Sequence, residues 1–250
     1  FKNIDDTPQY AEQITRSNMI RNAIINDKIV PFYQPIFNKE KRIVKYETLI
    51  RIQNSNEIIS PSVFLEVSKR IKRYTEIEKT VREKSFKLIA ERPDAMISIN
   101  LSGRDMTDGD VSVFIIEKMN KYKVAGRVIF EILEDENIEN IERIGVFIDR
   151  VRRMGAKIAI DDFGSGYSNF SYILKLKPDY IKIDGSIIKN IDTNEDSRVI
   201  TGAIIAFAKK LDITVIAEFV RSKEVYDTCV ELGVDEFQGF YLGEPSDSLR

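Results

Sequence analysis

Asp161 and Asp162 stand side by side in the run KIAIDDFGSGYSNF, residues 157–170, just before a stretch carrying Gly164 and Gly166. Adjacent carboxylates repel each other, and an unpaired charge beside the apolar Ile158 and Ile160 is costly. Seven other β-rich runs carry a polar residue near one end: Gln34, Glu47, Asn100, Glu131, Lys182, Glu218 and Gln238. A single acid ending a strand is ordinarily a helix cap or a solvated loop residue. Four acids, an amide and a lysine meeting at one rim need a counter-charge, and a divalent metal ion is the natural one. Strand alternation puts Glu47, Leu49 and Arg51 on one face, so Arg51 is either a surface ion pair or a phosphate clamp. Lys182 and Asp184 likewise share a face, with Ile181 and Ile183 on the other. Lys182 is then a structural counter-ion, or a group that orients an attacking water or stabilises developing phosphate charge.

The sequence contains no histidine. That excludes Ser-His-Asp and Cys-His catalysis, histidine acid-base chemistry and the common histidine zinc sites. Carboxylates, amides, lysine and arginine remain, and oxygen ligands favour magnesium or manganese. The single cysteine, Cys229, excludes an internal disulfide framework and reads as a packed thiol. A formal net charge of −2 gives no basic field for a long nucleic acid. No apolar run approaches a membrane span and no signal peptide is present. Starting at Phe1, the chain reads as a fragment, with a partner domain or a membrane anchor expected upstream.

The elements that must position these residues follow from periodicity. Helical spacing of Ile14, Ile20, Ala23 and Ile24 predicts a first helix leading into the rest, so the chain divides into a helical segment, 1–28, and a main domain, 29–250. Eight strand-like runs come next: IVPFYQPIF, IVKYETLIRI, AMISINLS, RVIFEILE, KIAIDDFG, YIKIDGS, TVIAEFV and EFQGFYLG. Amphipathic helices lie between most of them; in one, Ile141, Ile144, Ile148 and Val151 share a face and Gly155 is placed to end it. Eight strands with intervening helices predict an α/β fold, a (β/α)8 barrel of TIM type. Only NKEKR separates the first two strands, too little for a parallel crossover, so the first strand is expected to run antiparallel to the others. That reversal leaves the depth of Gln34 open.

In family order from about Val30 to Pro245, the segments YQPI, YETLIR, INLS, FEILE, DDFGSGYSNFSYI, IKIDGS, IAEFV and FQGFYLGEP resemble an EAL domain, the bacterial cyclic-di-GMP phosphodiesterase module. The resemblance implies the same barrel with a reversed first strand. It implies metal ligation by Glu47, Asn100, Glu131 and Asp161, with Asp162 and Glu218 around a second metal, two Mg2+ or Mn2+ ions per site. Lys182 would hold the nucleophilic water or a phosphate oxygen, acting with Glu47 and Glu218 as the catalytic set. Gln34, Leu49, Arg51, Asp184 and Gln238 would line the substrate site. Glu134 resembles the glutamate that steadies the DDFGSGYSN loop, the alternative being an exposed strand-end acid. The implied reaction is hydrolysis of cyclic di-GMP to linear pGpG, by a cytoplasmic homodimer whose full-length form carries an upstream sensor or GGDEF-type domain or a membrane anchor. A cyclic-di-GMP receptor with weak or no turnover is the alternative, and a protein-interaction domain the third reading.

Two departures stand out. Thr48 replaces the family's usual alanine on the face opposite Glu47. The seventh strand reads AEFVR where the family typically reads Ala-Glu-Gly-Val-Glu, so Phe219 replaces a glycine and Arg221 an acid. At roughly 6 Å and an effective dielectric near 20, a unit pair interacts by about 3 kcal/mol. Arg221 is therefore expected to swing outward, pair with an acid or meet the substrate phosphate, with activity reduced through the second metal.

Overall fold

The computed structural model describes residues 8–54, 57–134, 141–164 and 170–250. Among the described residues, nine strands form one sheet: β1 (Ile29–Asn38), β2 (Ile43–Asn54), β3 (Glu57–Ile59), β4 (Ile97–Asn100), β5 (Val128–Leu133), β6 (Lys157–Phe163), β7 (Tyr180–Ile183), β8 (Thr214–Ala217) and β9 (Glu236–Phe237). β1 pairs antiparallel with both β2 and β9, while every pairing from β2 through β4 to β9 is parallel. The sheet therefore closes into an eight-strand barrel with one reversed stave, as the short NKEKR connection predicts. β3, absent from the sequence reading, is a short antiparallel addition to β2 outside the closed set.

Ten α-helices accompany the strands among the described residues: α1 (Pro8–Ile25), α2 (Pro61–Arg70), α3 (Tyr74–Glu91), α4 (Gly103–Thr107), α5 (Gly109–Tyr122), α6 (Ile141–Arg153), α7 (Phe170–Leu176), α8 (Gly185–Ile188), α9 (Glu195–Lys210) and α10 (Lys223–Leu232). On α6, Ile144, Ile148 and Val151 are buried as their spacing predicts; the side chain of Ile141 lies outside the described residues. Gly155, at φ +101°, ends this helix in the left-handed conformation that favours glycine. α1 packs against α2, and its Ile20 and Ala23 join Ile29, Ile52, Ile59, Phe64 and Val67 in an apolar cluster on the barrel's flank. No described helix is long and apolar enough to cross a membrane.

The barrel interior is layered with the period of two that strands impose. Two residues before Glu131, Asp161, Lys182 and Glu218 stand Ile129, Ala159, Tyr180 and Ile216, which cluster with Ile36 as an apolar plug. Ile36 lies two residues after Gln34 because β1 runs the other way. Two residues before Glu47 and Gln238 stand Lys45 and Glu236, which form a largely buried ion pair. These seven rim residues thus rest on a filled layer.

Thr48 points away from this interior and is buried, and its Oγ1 has no hydrogen-bond partner among the described residues. Thr48→Val keeps the β-branched shape and removes only the desolvated hydroxyl. A gain of about 1 kcal/mol is expected, raising the melting temperature by about 2–4 °C. An unchanged or lower midpoint would show that water satisfies the hydroxyl in the folded protein.

Candidate active site

The ends of the parallel strands form one mouth, and at it lies a cavity of about 410 Å³. Its walls include Gln34, Glu47, Leu49, Arg51, Asp161, Asp162, Glu218 and Gln238, eight of the residues singled out in the sequence. The β1–β2 register settles the depth of Gln34: it stands directly opposite Glu47. Gln238 Nε2 then donates to Gln34 Oε1 at 3.1 Å and to Glu47 Oε2 at 2.6 Å. Asn100 Nδ2 donates to Glu47 Oε1 at 3.2 Å from the other side, outside the cavity wall.

Beneath the floor, Lys182 is fully buried. Its Nζ lies 2.8 Å from Glu218 Oε1, 2.9 Å from Asp161 Oδ1, 3.0 Å from Glu131 Oε2 and 3.4 Å from Glu47 Oε2. One ammonium faces four carboxylates, and the carboxyls respond. Burial, then the neighbouring acids, pushes Glu131 well above the usual carboxylate range despite Lys182. Burial likewise carries Glu218 up to about 8, with Asp161 and Glu47 adding to the rise and Lys182 opposing it. Burial by itself would lower the Lys182 pKa, yet the four acids together raise it well above the ordinary lysine value.

Residues adjacent in a plain strand face opposite ways, so Asp161 and Asp162 need a device to share one cavity. It is a bulge: the β6–β7 register shifts between Ile160 and Phe163, and Asp162 adopts φ +53°. The extra residue re-aims the second carboxylate. Burial, then Asp161 and Asp184, lifts the Asp162 carboxyl to about 6. Asp161, Asp162 and Glu218 each offer an oxygen within 4.8 Å of the others, the one such acidic group of three or more found among the described residues. An all-oxygen donor set of this kind fits a hard divalent cation.

Arg51 lines the facing wall with its ring of donors lightly used: one bond to the Ile50 carbonyl, at 2.8 Å, and no ion pair among the described residues. That leaves it suited to a phosphate oxygen. Asp184 caps α8 by accepting from Ser186 N at 2.9 Å. Glu134 is buried, and its Oε2 accepts from Gly164 N at 2.8 Å, tying β5 to the first residue beyond β6. Gly166 and the rest of the 165–169 stretch lie outside the described residues.

Strand β8 ends earlier than the run TVIAEFV suggests, because Phe219 turns the chain with φ +52°. β9 is shorter still; Gly239 leaves the sheet to pack on Val220, where a Cβ would come within 2.1 Å of the carbonyl oxygen. Arg221 pairs with acid and backbone: its Nε donates to the Lys189 carbonyl and its NH2 lies 3.8 Å from Asp192 Oδ1. Phe240 and Pro245 complete the wall and escaped the sequence reading. Their signal was Gly239 beside the rim Gln238, which marks a backbone contact and sets Phe240 two residues beyond the glutamine.

The EAL domain family matches residues 17–245. The chain belongs to the EAL domain family. The EAL chain is 32% identical over 234 residues to the cyclic di-GMP phosphodiesterase PdeB of Shewanella oneidensis, covering 90% of itself and 27% of that protein. It is 30% identical over 240 residues to the cyclic di-GMP phosphodiesterase PdeF of Escherichia coli, covering 94% and 32%. It therefore spans about a third or less of these relatives. Among solved structures, the EAL enzyme Bd1971 in its cAMP- and cyclic-di-GMP-bound form superposes with a TM-score of 0.87 at 29% identity, covering 98% of this chain and 69% of that one. An EAL domain protein from Listeria monocytogenes gives 0.84 at 27% identity, with 92% and 94% covered.

Proposed function

We propose that this EAL domain hydrolyses one phosphodiester of cyclic di-GMP to give linear pGpG. The observation that supports the reading best is a single cavity lined by Arg51, a guanidinium with no ion pair among the described residues, and by the converging carboxylates Asp161, Asp162 and Glu218. Glu47, Asn100, Glu131 and Asp161 would hold one divalent cation and Asp161, Asp162 and Glu218 a second, Mg2+ or Mn2+. Bound there, such ions supply Lewis acidity toward the phosphate and lower the pKa of a water. Arg51 clamps a phosphate oxygen, while Gln34 and Gln238 hold Glu47 in place by the amide chain between them. Lys182 is the fixed positive charge that orients the floor carboxylates and, with Glu47 and Glu218, the attacking water. Glu134 steadies the start of the loop after β6 through Gly164. Arg221 lines the same cavity but is engaged with Lys189 and Asp192, so it would weaken the second metal less than a free cation there. Homodimerisation and an upstream sensor or GGDEF-type domain remain part of the same proposal for the full-length protein.

Incubation with cyclic di-GMP and Mg2+ or Mn2+ is expected to yield pGpG, and Glu47→Ala to lower kcat by at least a hundredfold. Glu47 meets Lys182, Asn100 and Gln238 at once, so its loss disorders the floor as well as removing a ligand. Chelator-insensitive binding without turnover would instead favour the receptor reading.

A further inference from the structure

Two phenylalanines on the cavity wall are left open to water: Phe219 is 64% exposed and Phe240 69%. Large apolar faces in a cleft that also carries charged groups mark a surface awaiting a planar, partly apolar ligand. Both rings sit on backbone that is held. Val220 N donates to Gln238 O at 3.0 Å and Tyr241 N to Val220 O at 3.2 Å, stitching the two loops together. Beneath Phe219 lies Gly185, where a Cβ would meet the ring within 2.3 Å. Two residues on, Arg221 is anchored to the Lys189 carbonyl and near Asp192. All this maintains Phe219 at φ +52°, a conformation that a bulky side chain rarely adopts. Backbone strain kept in place by its surroundings, on the wall of a site, points to use of that side chain.

We propose that Phe219 is a stacking surface for one purine base of the cyclic dinucleotide, with Phe240 extending it, so that this wall supplies affinity for the base while Arg51 and the acidic floor address the phosphates. The inference rests on the proposed function. Aromatic rings bind bases through their π faces with little demand on hydrogen-bond pattern. Because Phe219 directly follows Glu218, a base resting on it leaves its own phosphate beside the carboxylate group.

The chain contains no tryptophan, so Phe219→Trp creates a single tryptophan at the surface in question, whose emission can be excited apart from that of the tyrosines. Titration with cyclic di-GMP in chelator, where no turnover consumes it, is expected to quench that fluorescence with affinity close to the parent's. Phe219→Gly should bind about tenfold or more weakly, and its KM with Mg2+ should rise in step. Its melting temperature should not fall, since glycine accepts the backbone conformation freely. Phe219→Gly binding within twofold of the parent would overturn the proposal by showing that the ring merely covers Gly185, as would Phe219→Trp binding with no change in emission. Failure of the parent chain to bind cyclic di-GMP, with or without Mg2+, would overturn the functional reading beneath it.

Discussion

Replacing Lys182 with methionine is expected to destabilise the folded chain by about 3–5 kcal/mol at pH 8.5, because it leaves four buried acids without the cation they share. The loss should depend on pH in a defined direction. Glu131 and Glu218 already bind protons more tightly folded than unfolded, and removing Lys182, which opposes that rise in both, lifts them further. A carboxyl raised by folding disfavours the folded state increasingly as pH climbs from its unfolded value, about 4.5, through its folded one. The part of the Lys182→Met deficit that comes from Glu218 should therefore be small at pH 5 and 7 and open above about pH 8, where the parent's carboxyl ionises and the variant's, lifted further, does not. In the parent the lysine's own pKa is raised, so its contribution is fully present below about 10.5 and fades only at still higher pH. Urea unfolding of both proteins at pH 5, 7 and 8.5 measures this. Equal stability at pH 8.5 would mean that the floor does not need the lysine's charge.

The second large effect is stabilisation by a divalent cation. Saturation at a hundredfold above the dissociation constant adds about 2.7 kcal/mol to the folded state, or roughly 5–10 °C in the melting temperature of a chain this size. Protons compete with the cation for the same oxygens. With Asp162 lifted to about 6 and Glu218 to about 8, the shift from Mn2+ should be slight at pH 5.5 and grow through pH 8. Without cation, these raised carboxyls make the protein less stable as pH rises over that interval, so the two curves should diverge. Asp162→Asn should remove most of the Mn2+ shift while leaving the Lys182 cluster intact. Thermal unfolding across the pH series, with Mn2+ and with chelator, decides it. A shift independent of pH, or one kept by Asp162→Asn, would place the cation elsewhere.

Much of the site was legible because strands have a period of two. Glu47, Leu49 and Arg51 could be assigned to one face from spacing alone, and all three line the cavity. Where a local irregularity intervenes, that rule fails. It would send Asp161 and Asp162 to opposite faces, and only the bulge between Ile160 and Phe163 brings both into the cavity. The run TVIAEFV reads as an unbroken strand, yet left-handed Phe219 ends it after Ala217. Phe240 stands two residues beyond Gln238, yet it lies in the turn beyond Phe237, where contacts with the neighbouring loop and not strand alternation place it.

By itself, the sequence determined which chemistry is open to this protein: no histidine, one cysteine, and acids, amides and a lysine at strand ends, in the order of the EAL family. It also determined that β1 must run backwards, because five residues cannot span a parallel crossover. Only the tertiary structure decided how deep Gln34 sits, where the Arg221 charge goes, and that Lys182 lies under four carboxylates rather than in the open cleft. These depend on register between strands far apart in the chain and on the closure of the barrel, which makes neighbours of β1 and β9. Residue spacing within a strand carries no information about either.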